Sequence, residues 1–411
     1  MYISGSFLRE SIDSLEFVDK IITATGPRLT GSRATKQASE IIAKEFAKTC
    51  DTSVIEEFKV RPKSFLGFIK VSVTLYVIST ILLFFNFAVL ASVGFIMAVF
   101  IMVSQFILYW ELFDPLYKQR TGYNVIGTID PPGEVKQQII VAGHHDSAYE
   151  FRFLTQMPRL YSIRILLAFI TIALSIILSI WWAIVKLSSG ENPLFAEVFR
   201  IALVISFVYM VPLYFFIKNK GTPGAGDNLI ASGIAKVMGD IFGGMKQRNT
   251  PLLKNTRLIV ISFDAEEAGL RGSRRYVKKH LSELTSIPTY VVNIDSIYNA
   301  DLIKFVNLDI NSTIRLSDKM VSDLQEVASK LNYPTEVVAV PPGGGATDAA
   351  SFAQKGIEAT TILAMPLDLV RNVVAYHTQN DTIDSIEPEA VARVLNICYN
   401  YIVQKDANIV E

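Results

Sequence analysis

Gln138-Ile139-Ile140-Val141-Ala142-Gly143-His144-His145-Asp146-Ser147 runs an apolar segment straight into four polar, ligand-type residues. A short, unbroken, β-branched run of this kind reads as a strand buried on both faces. Arg257–Phe263 and Tyr290–Ile294 read the same way, leading into Asp264-Ala265-Glu266-Glu267 and Asp295. Val54–Val60 and Tyr123–Ile129 read as further strands. Residues 10–22, 34–48, Ala231–Phe242 and Gly272–Leu281 carry helical spacing. Alternating strands and helices predict an α/β fold: a mostly parallel central sheet with helices on both faces. In such sheets, chemistry gathers at the carboxyl ends of the strands.

The composition departs from that of a soluble domain. The 411 residues are 50% hydrophobic and only 19% charged, with 39 basic against 39 acidic side chains. No basic excess marks a nucleic-acid partner. Cys50 and Cys398 are too few for a disulfide scaffold or a cysteine metal site. The apolar excess is local. Val71 to Trp110 contains no Asp, Glu, Lys or Arg, which predicts spans near 64–86 and 88–110 turning at Asn86, with Ser92–Gly94 as a competing turn. Arg164 to Ile217 predicts spans near 165–185 and 196–217 around a polar loop at 188–193. A charge at mid-bilayer costs roughly 2.5–3.5 kcal/mol, and these stretches avoid it. Trp110, Trp181 and Trp182 lie at span ends, as an aromatic belt requires.

The chain therefore divides into peptide segments 1–63, 111–163 and 218–411, with two hairpins at 64–110 and 164–217. Each hairpin returns the chain to the side it left. That side carries Lys59, Arg61, Lys63, Lys70, Lys118, Arg120, Arg152, Arg159, Arg164, Lys218 and Lys220; the far side has Lys186 and Arg200. The positive-inside rule predicts a four-span integral membrane protein with its globular part in the cytoplasm.

Four histidines are present: His144, His145, His280 and His377. His145 reads as a loop spacer and His280 as a surface helix residue. Five motifs occur in order: Gly143-His144-His145-Asp146-Ser147; Gly224-Ala225-Gly226-Asp227-Asn228 with Ser232-Gly233; Ala265-Glu266-Glu267-Ala268-Gly269-Leu270; Asn293-Ile294-Asp295; and Tyr376-His377-Thr378. This series resembles the di-zinc aminopeptidases of metallopeptidase family 28, which also contains glutamate carboxypeptidases. Gly26-Pro27-Arg28 and Gly345-Ala346-Thr347-Asp348 are lesser matches.

The resemblance implies a zinc-exopeptidase fold and two zinc ions. Asp227 would bridge them, with His144 and Asp295 on one and Glu267 and His377 on the other. It further implies Glu266 as general base, Asp146 as the carboxylate orienting His144, and Tyr376 as a donor to the oxyanion. Asp348 reads chiefly as a structural or loop-capping residue, with recognition of a substrate amine as the second reading. The partners implied are a peptide, hydrophobic or membrane-derived, and the lipid bilayer. Aminopeptidase action is the first expectation, carboxypeptidase or dipeptidase action the second, and an inactive membrane scaffold the third. Two departures stand out. Ser232-Gly233 lies two residues further from Asp227 than in the family pattern, and the second hairpin separates His144 from Asp227.

Overall fold

The computed structural model describes residues 7–188, 193–367 and 375–409. The chain opens with helices α1 (Leu8–Thr25) and α2 (Arg33–Phe46) and strand β1 (Thr52–Val60). It continues through α3 (Ser64–Phe84) and α4 (Ala88–Met102), then β2 (Arg120–Ile129) and β3 (Gln137–His144). Short β4 (Tyr149–Phe151) and α5 (Arg152–Gln156) lead into α6 (Tyr161–Ser188) and α7 (Pro193–Met210), and β5 (Ile217–Gly221) follows. The remainder is α8 (Ile230–Gln247), β6 (Thr256–Phe263), α9 (Arg271–Ser286), β7 (Thr289–Ile297), β8 (Ile303–Asp309), β9 (Ile314–Arg315), α10 (Asp318–Lys330), β10 (Glu336–Ala339), α11 (Ala349–Ala353), β11 (Glu358–Ala364) and α12 (Pro388–Ala407).

The main sheet runs β1-β2-β6-β3-β7-β11-β8-β10, with β9 beside β8. Its centre, β6-β3-β7-β11, is parallel. The β1–β2, β2–β6, β11–β8 and β8–β9 pairs are antiparallel. Side chains alternate between the two faces of each strand. Ile139 and Val141 of β3 join one core with Leu258, Val260, Val292 and the α8 residues Ile234, Met238 and Phe242. Ile140 and Ala142 join the other, with Ile259, Ile261, Val291 and the α9 residues Tyr276 and Val277. Helices thus cover both faces, which is why the central strands carry unbroken apolar runs.

α8 packs unusually close to β3: a Cβ on Gly143 would stand 2.1 Å from the Ala231 Cβ. Only glycine allows that approach, and it brings the loop before α8 against the end of β3.

Four helices are long and apolar enough to cross a membrane: Ser64–Phe84, Ala88–Ile107, Pro158–Ser188 and Pro193–Phe215. Buried core helices of a soluble protein would hide such residues. Here only 22–39% of each apolar window is buried, and side chains such as Ile177, Ile205 and Val208 stand exposed. An apolar surface of that extent needs an apolar partner. The two hairpins pack on each other through Tyr76, Phe95, Trp182, Phe199 and Leu203. Tyr76 Oη meets Ser206 Oγ at 2.5 Å across them.

The turn of the first hairpin falls at Asn86, which has φ 61°; Ser92–Gly94 lies inside α4. The expected spans 64–86 and 88–110 end earlier, at Phe84 and Ile107. A π-turn over Val103–Ile107 widens the last turn of α4, and Tyr109 at φ 54° breaks the helix. In the second hairpin the helices run Pro158–Ser188 and Pro193–Phe215, so the first reaches beyond the expected 165–185, and the second starts before and ends before the expected 196–217; Arg164 lies 4.2 Å over the Phe153 ring at the root. The polar loop expected at 188–193 falls mostly outside the described residues. At the far end, Arg200 donates to the Leu83 carbonyl at 3.2 Å and to Asn86 Oδ1, and stacks 4.9 Å over Trp182. Lys186 donates to the Asn86 carbonyl at 2.9 Å. Both cations thus bind the C-terminal end of α3, where carbonyls lack helical partners.

Candidate metal centre

β6, β3 and β7 are parallel neighbours, so their carboxyl ends lie side by side. His144 closes β3, Glu266 and Glu267 follow β6, and Asp295 lies near the end of β7. Asp227 enters from the loop before α8 and His377 from the segment before α12. Asp227 is joined to Asn228 by a cis peptide bond.

The side chains converge. Asp227 Oδ1 stands 3.5 Å from His144 Nε2, and Oδ2 stands 3.1 Å from His377 Nε2. His377 Nε2 also approaches Glu267 Oε1 at 3.3 Å. His144, Asp227 and Glu267 form one group able to hold a metal ion; His144, Glu266 and Asp295 form a second. The five residues assigned as ligands therefore meet in one place. Glu266, expected as a base, converges with them as well, 3.7 Å from His144. His144 is shared between both groups, whereas the family resemblance shares Asp227.

The donor set fits a divalent cation. His144 Nε2, Asp227 Oδ2 and Glu267 Oε1 are buried and make no aligned hydrogen bond, which is costly unless another partner completes them. Imidazole and carboxylate ligands suit zinc. The charge balance argues the same way. Burial pushes the Asp295 carboxyl up to about 8, with His144 opposing and Asp227 adding to it. Burial would lower His377, yet Glu267 and Asp227 raise it to about 10. Burial also raises Glu266 well above the ordinary range, against the pull of His144. Buried acids that attract protons this strongly are a place for positive charge.

Asp146 sits beneath the cluster. Its Oδ1 is 3.4 Å from His144 Nδ1, the nitrogen facing away from Asp227. Its two oxygens also accept the backbone N–H groups of Glu266 at 3.1 Å and Glu267 at 3.2 Å, and the Thr30 hydroxyl at 2.9 Å. Tyr376 stacks on His377 with ring centroids 3.9 Å apart. Asp348 is buried, and burial pushes its carboxyl up to about 7. It makes no side-chain cap hydrogen bond on α11. His145 turns away to Ser262 Oγ at 2.8 Å, which in turn meets Ser232 Oγ at 2.6 Å. The displaced Ser232-Gly233 motif thus belongs to this hydroxyl chain behind the site. His280 pairs with Glu56 and Glu283 on α9.

Several residues that hold the site are given no role in it by the sequence. Arg28 is fully buried and donates to the His145, Pro223 and Gly224 carbonyls at 2.7, 2.8 and 2.7 Å, tying the two ligand loops together. Its motif is visible in the sequence, but its direction is not. Asp381, four residues after His377, accepts the N–H groups of Gly226 at 2.8 Å and Asp227 at 3.3 Å. Phe151 lies edge-on to His377 at 4.3 Å, and its N–H donates to the His377 carbonyl at 3.1 Å. β4, which leads through α5 into the second hairpin, therefore touches the cluster at Phe151, and β4 pairs with β5 where the chain returns.

Residues 210–402 match the model of peptidase family M28. That segment holds Asp227, Glu266, Glu267, Asp295, Asp348, Tyr376 and His377; His144 and Asp146 precede it, beyond the second hairpin. The chain is similar in fold to a zinc aminopeptidase from Bacillus subtilis, with TM-score 0.57 and 14% identity over 96% of this chain and 95% of that one. It is likewise similar to an aminopeptidase from Aneurinibacillus sp. strain AM-1 (TM-score 0.55, 14% identity, 98% and 96% covered). A third likeness is to a glutaminyl cyclase from Fimbriiglobus ruber (TM-score 0.53, 14% identity, 96% and 94% covered). No curated protein matches the chain by sequence. The shared fold is that of zinc exopeptidases.

Proposed function

We propose that the protein is a membrane-embedded, zinc-dependent exopeptidase of family M28 that removes N-terminal residues from peptides. The observation that carries this reading is the convergence of His144, Asp227, Glu267, Asp295 and His377 around buried, unsatisfied donor atoms, with Glu266 at their edge.

Asp227 would hold both zinc ions, with His144 and Asp295 on one and Glu267 and His377 on the other. When bound, the two ions supply Lewis acidity and lower the pKa of water. The chain's own groups do the rest. Glu266 accepts the proton of the attacking water and delivers it to the leaving amine, and its raised proton affinity suits a base that must also act as an acid. Asp146 holds the backbone of Glu266 and Glu267 and orients the His144 ring. Tyr376 donates to the oxygen that gains charge as the carbonyl is attacked. Asp348, a buried carboxyl near the cluster, is proposed to receive the substrate's free amine.

The four apolar helices would span the bilayer, with the globular part on the cytoplasmic side. Because Phe151 at the root of the second hairpin touches His377, the site would lie close to the membrane and take hydrophobic or membrane-derived peptides. The full-length protein in detergent, given aminoacyl anilides, their N-acylated counterparts and an N-terminal glutaminyl peptide, tests the reading. Hydrolysis of the free-amine substrates alone, abolished by a chelator, is expected. Preference for N-acylated peptides would instead indicate a carboxypeptidase, and ring closure of the glutaminyl peptide a cyclase.

A further inference from the structure

The connector that leaves the first hairpin turns one residue inward. Tyr109 is 4% exposed, while the adjacent Trp110 is 51% exposed. Tyr109 takes φ 54°, a conformation that a bulky residue keeps only where its surroundings enforce it.

Three sets of contacts enforce it. Phe65, at the start of α3, packs its ring 4.7 Å from that of Tyr109. The same Phe65 lies over Gly269, where a Cβ would come within 2.7 Å of the ring. Gly269 closes the Glu266 turn, its N–H donating to the Glu266 carbonyl at 2.8 Å. Arg274 donates to the Tyr109 carbonyl. One step on, Asp114 pairs with the buried Arg271 through both oxygens, at 3.1 and 3.2 Å, while Arg271 also reaches the Gly269 carbonyl at 2.6 Å. On the other side, Asn311 donates to the Phe106 carbonyl at 2.8 Å and accepts the Gly343 N–H at 2.8 Å. The hairpin's end and the glycine loop before Asp348 share that clamp. A Cβ on Gly345 would lie 3.5 Å from Tyr109 Oη.

The phenol is thus fixed between the Glu266 turn and the Gly345–Asp348 loop. Among the described residues, the Arg274 hydrogen bond falls on the Tyr109 backbone carbonyl and not on its hydroxyl. Burial, then the charge of Glu266, holds it well above the ordinary phenol range, so it stands as a neutral donor.

We propose that Tyr109 is a substrate-contacting residue whose hydroxyl donates a hydrogen bond to the backbone of the bound peptide from the Glu266 side, so that the first hairpin supplies part of the site. This rests on the peptidase reading. A packing role alone would need the ring and not the hydroxyl, so Tyr109→Phe separates the two.

The test compares the full-length wild type, Tyr109→Phe and the exposed neighbour Trp110→Phe in detergent. It measures kcat and KM on aminoacyl anilides, the Kd of a phosphinic dipeptide analogue, zinc content and Tm. The expected result is a roughly tenfold fall in kcat/KM and a similar weakening of the analogue for Tyr109→Phe, the loss of about one hydrogen bond. Zinc content and Tm stay at wild-type values, and Trp110→Phe changes nothing. Values for Tyr109→Phe within twofold of wild type would overturn the proposal. So would a loss of zinc or a fall in Tm that accounts for the change, or failure of the analogue to bind the wild type. If the wild type binds the analogue but hydrolyses nothing, the peptidase reading fails while the affinity comparison still decides the role of Tyr109.

Discussion

Arg28 is buried and donates to four backbone carbonyls, those of Gly26, His145, Pro223 and Gly224. Removing it would leave those acceptors unsatisfied, at about 1–3 kcal/mol for each one that water cannot reach. Arg28→Met is therefore expected to cost about 3 kcal/mol or more in denaturant unfolding and to weaken zinc binding. Asp146 is a second such residue, since its carboxylate accepts from Glu266, Glu267 and Thr30 at once. An amide in its place must turn a donor toward one of those N–H groups. Asp146→Asn is expected to lower kcat or zinc affinity by about 10- to 100-fold, read from steady-state kinetics and a competitive zinc titration. At this scale the sequence shows which residue types could bind metal, because only four histidines exist and three of them stand in the motifs. It does not show Arg28 or Asp381 at work, because their partners are backbone groups far along the chain.

At the scale of elements, the site depends on how closely α8 lies on β3. Gly143→Ala would drive a methyl into Ala231. Overpacking of this kind costs about 1–3 kcal/mol, so Tm should fall by several degrees in a thermal scan. Strands β3, β6 and β7 are legible in the sequence because burial on both faces leaves them uniformly apolar. β8, β10 and β11 are not. β8 carries Lys304, whose stem is buried while its amine reaches Glu336 at 2.8 Å. β11 carries Thr360, whose hydroxyl is satisfied by the Val306 carbonyl at 2.8 Å. Polar residues with internal partners break an apolar run without breaking the strand. The end of α4 is hidden for another reason: Leu108, Tyr109 and Trp110 continue the apolar pattern, and only the contacts of Tyr109 turn the backbone.

For the whole molecule, the composition already divides the chain, because charge is absent over two blocks and ordinary elsewhere. What it cannot convey is that the two hairpins are rooted at the site, through Phe151 on His377 and through Phe65 on Gly269. The proposed membrane insertion and its orientation are open to a direct experiment. Burial pushes the Cys50 and Cys398 thiols up to about 12, so the native background of thiol labelling should be low. Leu187→Cys, at the exposed far tip, is expected to react with an impermeant maleimide in intact cells. Lys118→Cys is expected to react only after permeabilisation, and the reverse pattern would place the globular part outside.

The central claim is that a zinc centre with Glu266 as its base performs the chemistry. Glu266→Gln keeps the size of the side chain and removes its basicity. Its zinc content and its kcat on an aminoacyl anilide should be measured beside the wild type in one preparation. The account predicts two zinc ions per chain in both proteins and a kcat reduced by about 10²- to 10⁴-fold in the variant. Wild-type turnover by Glu266→Gln, or full activity of the wild type with its zinc removed, would contradict it.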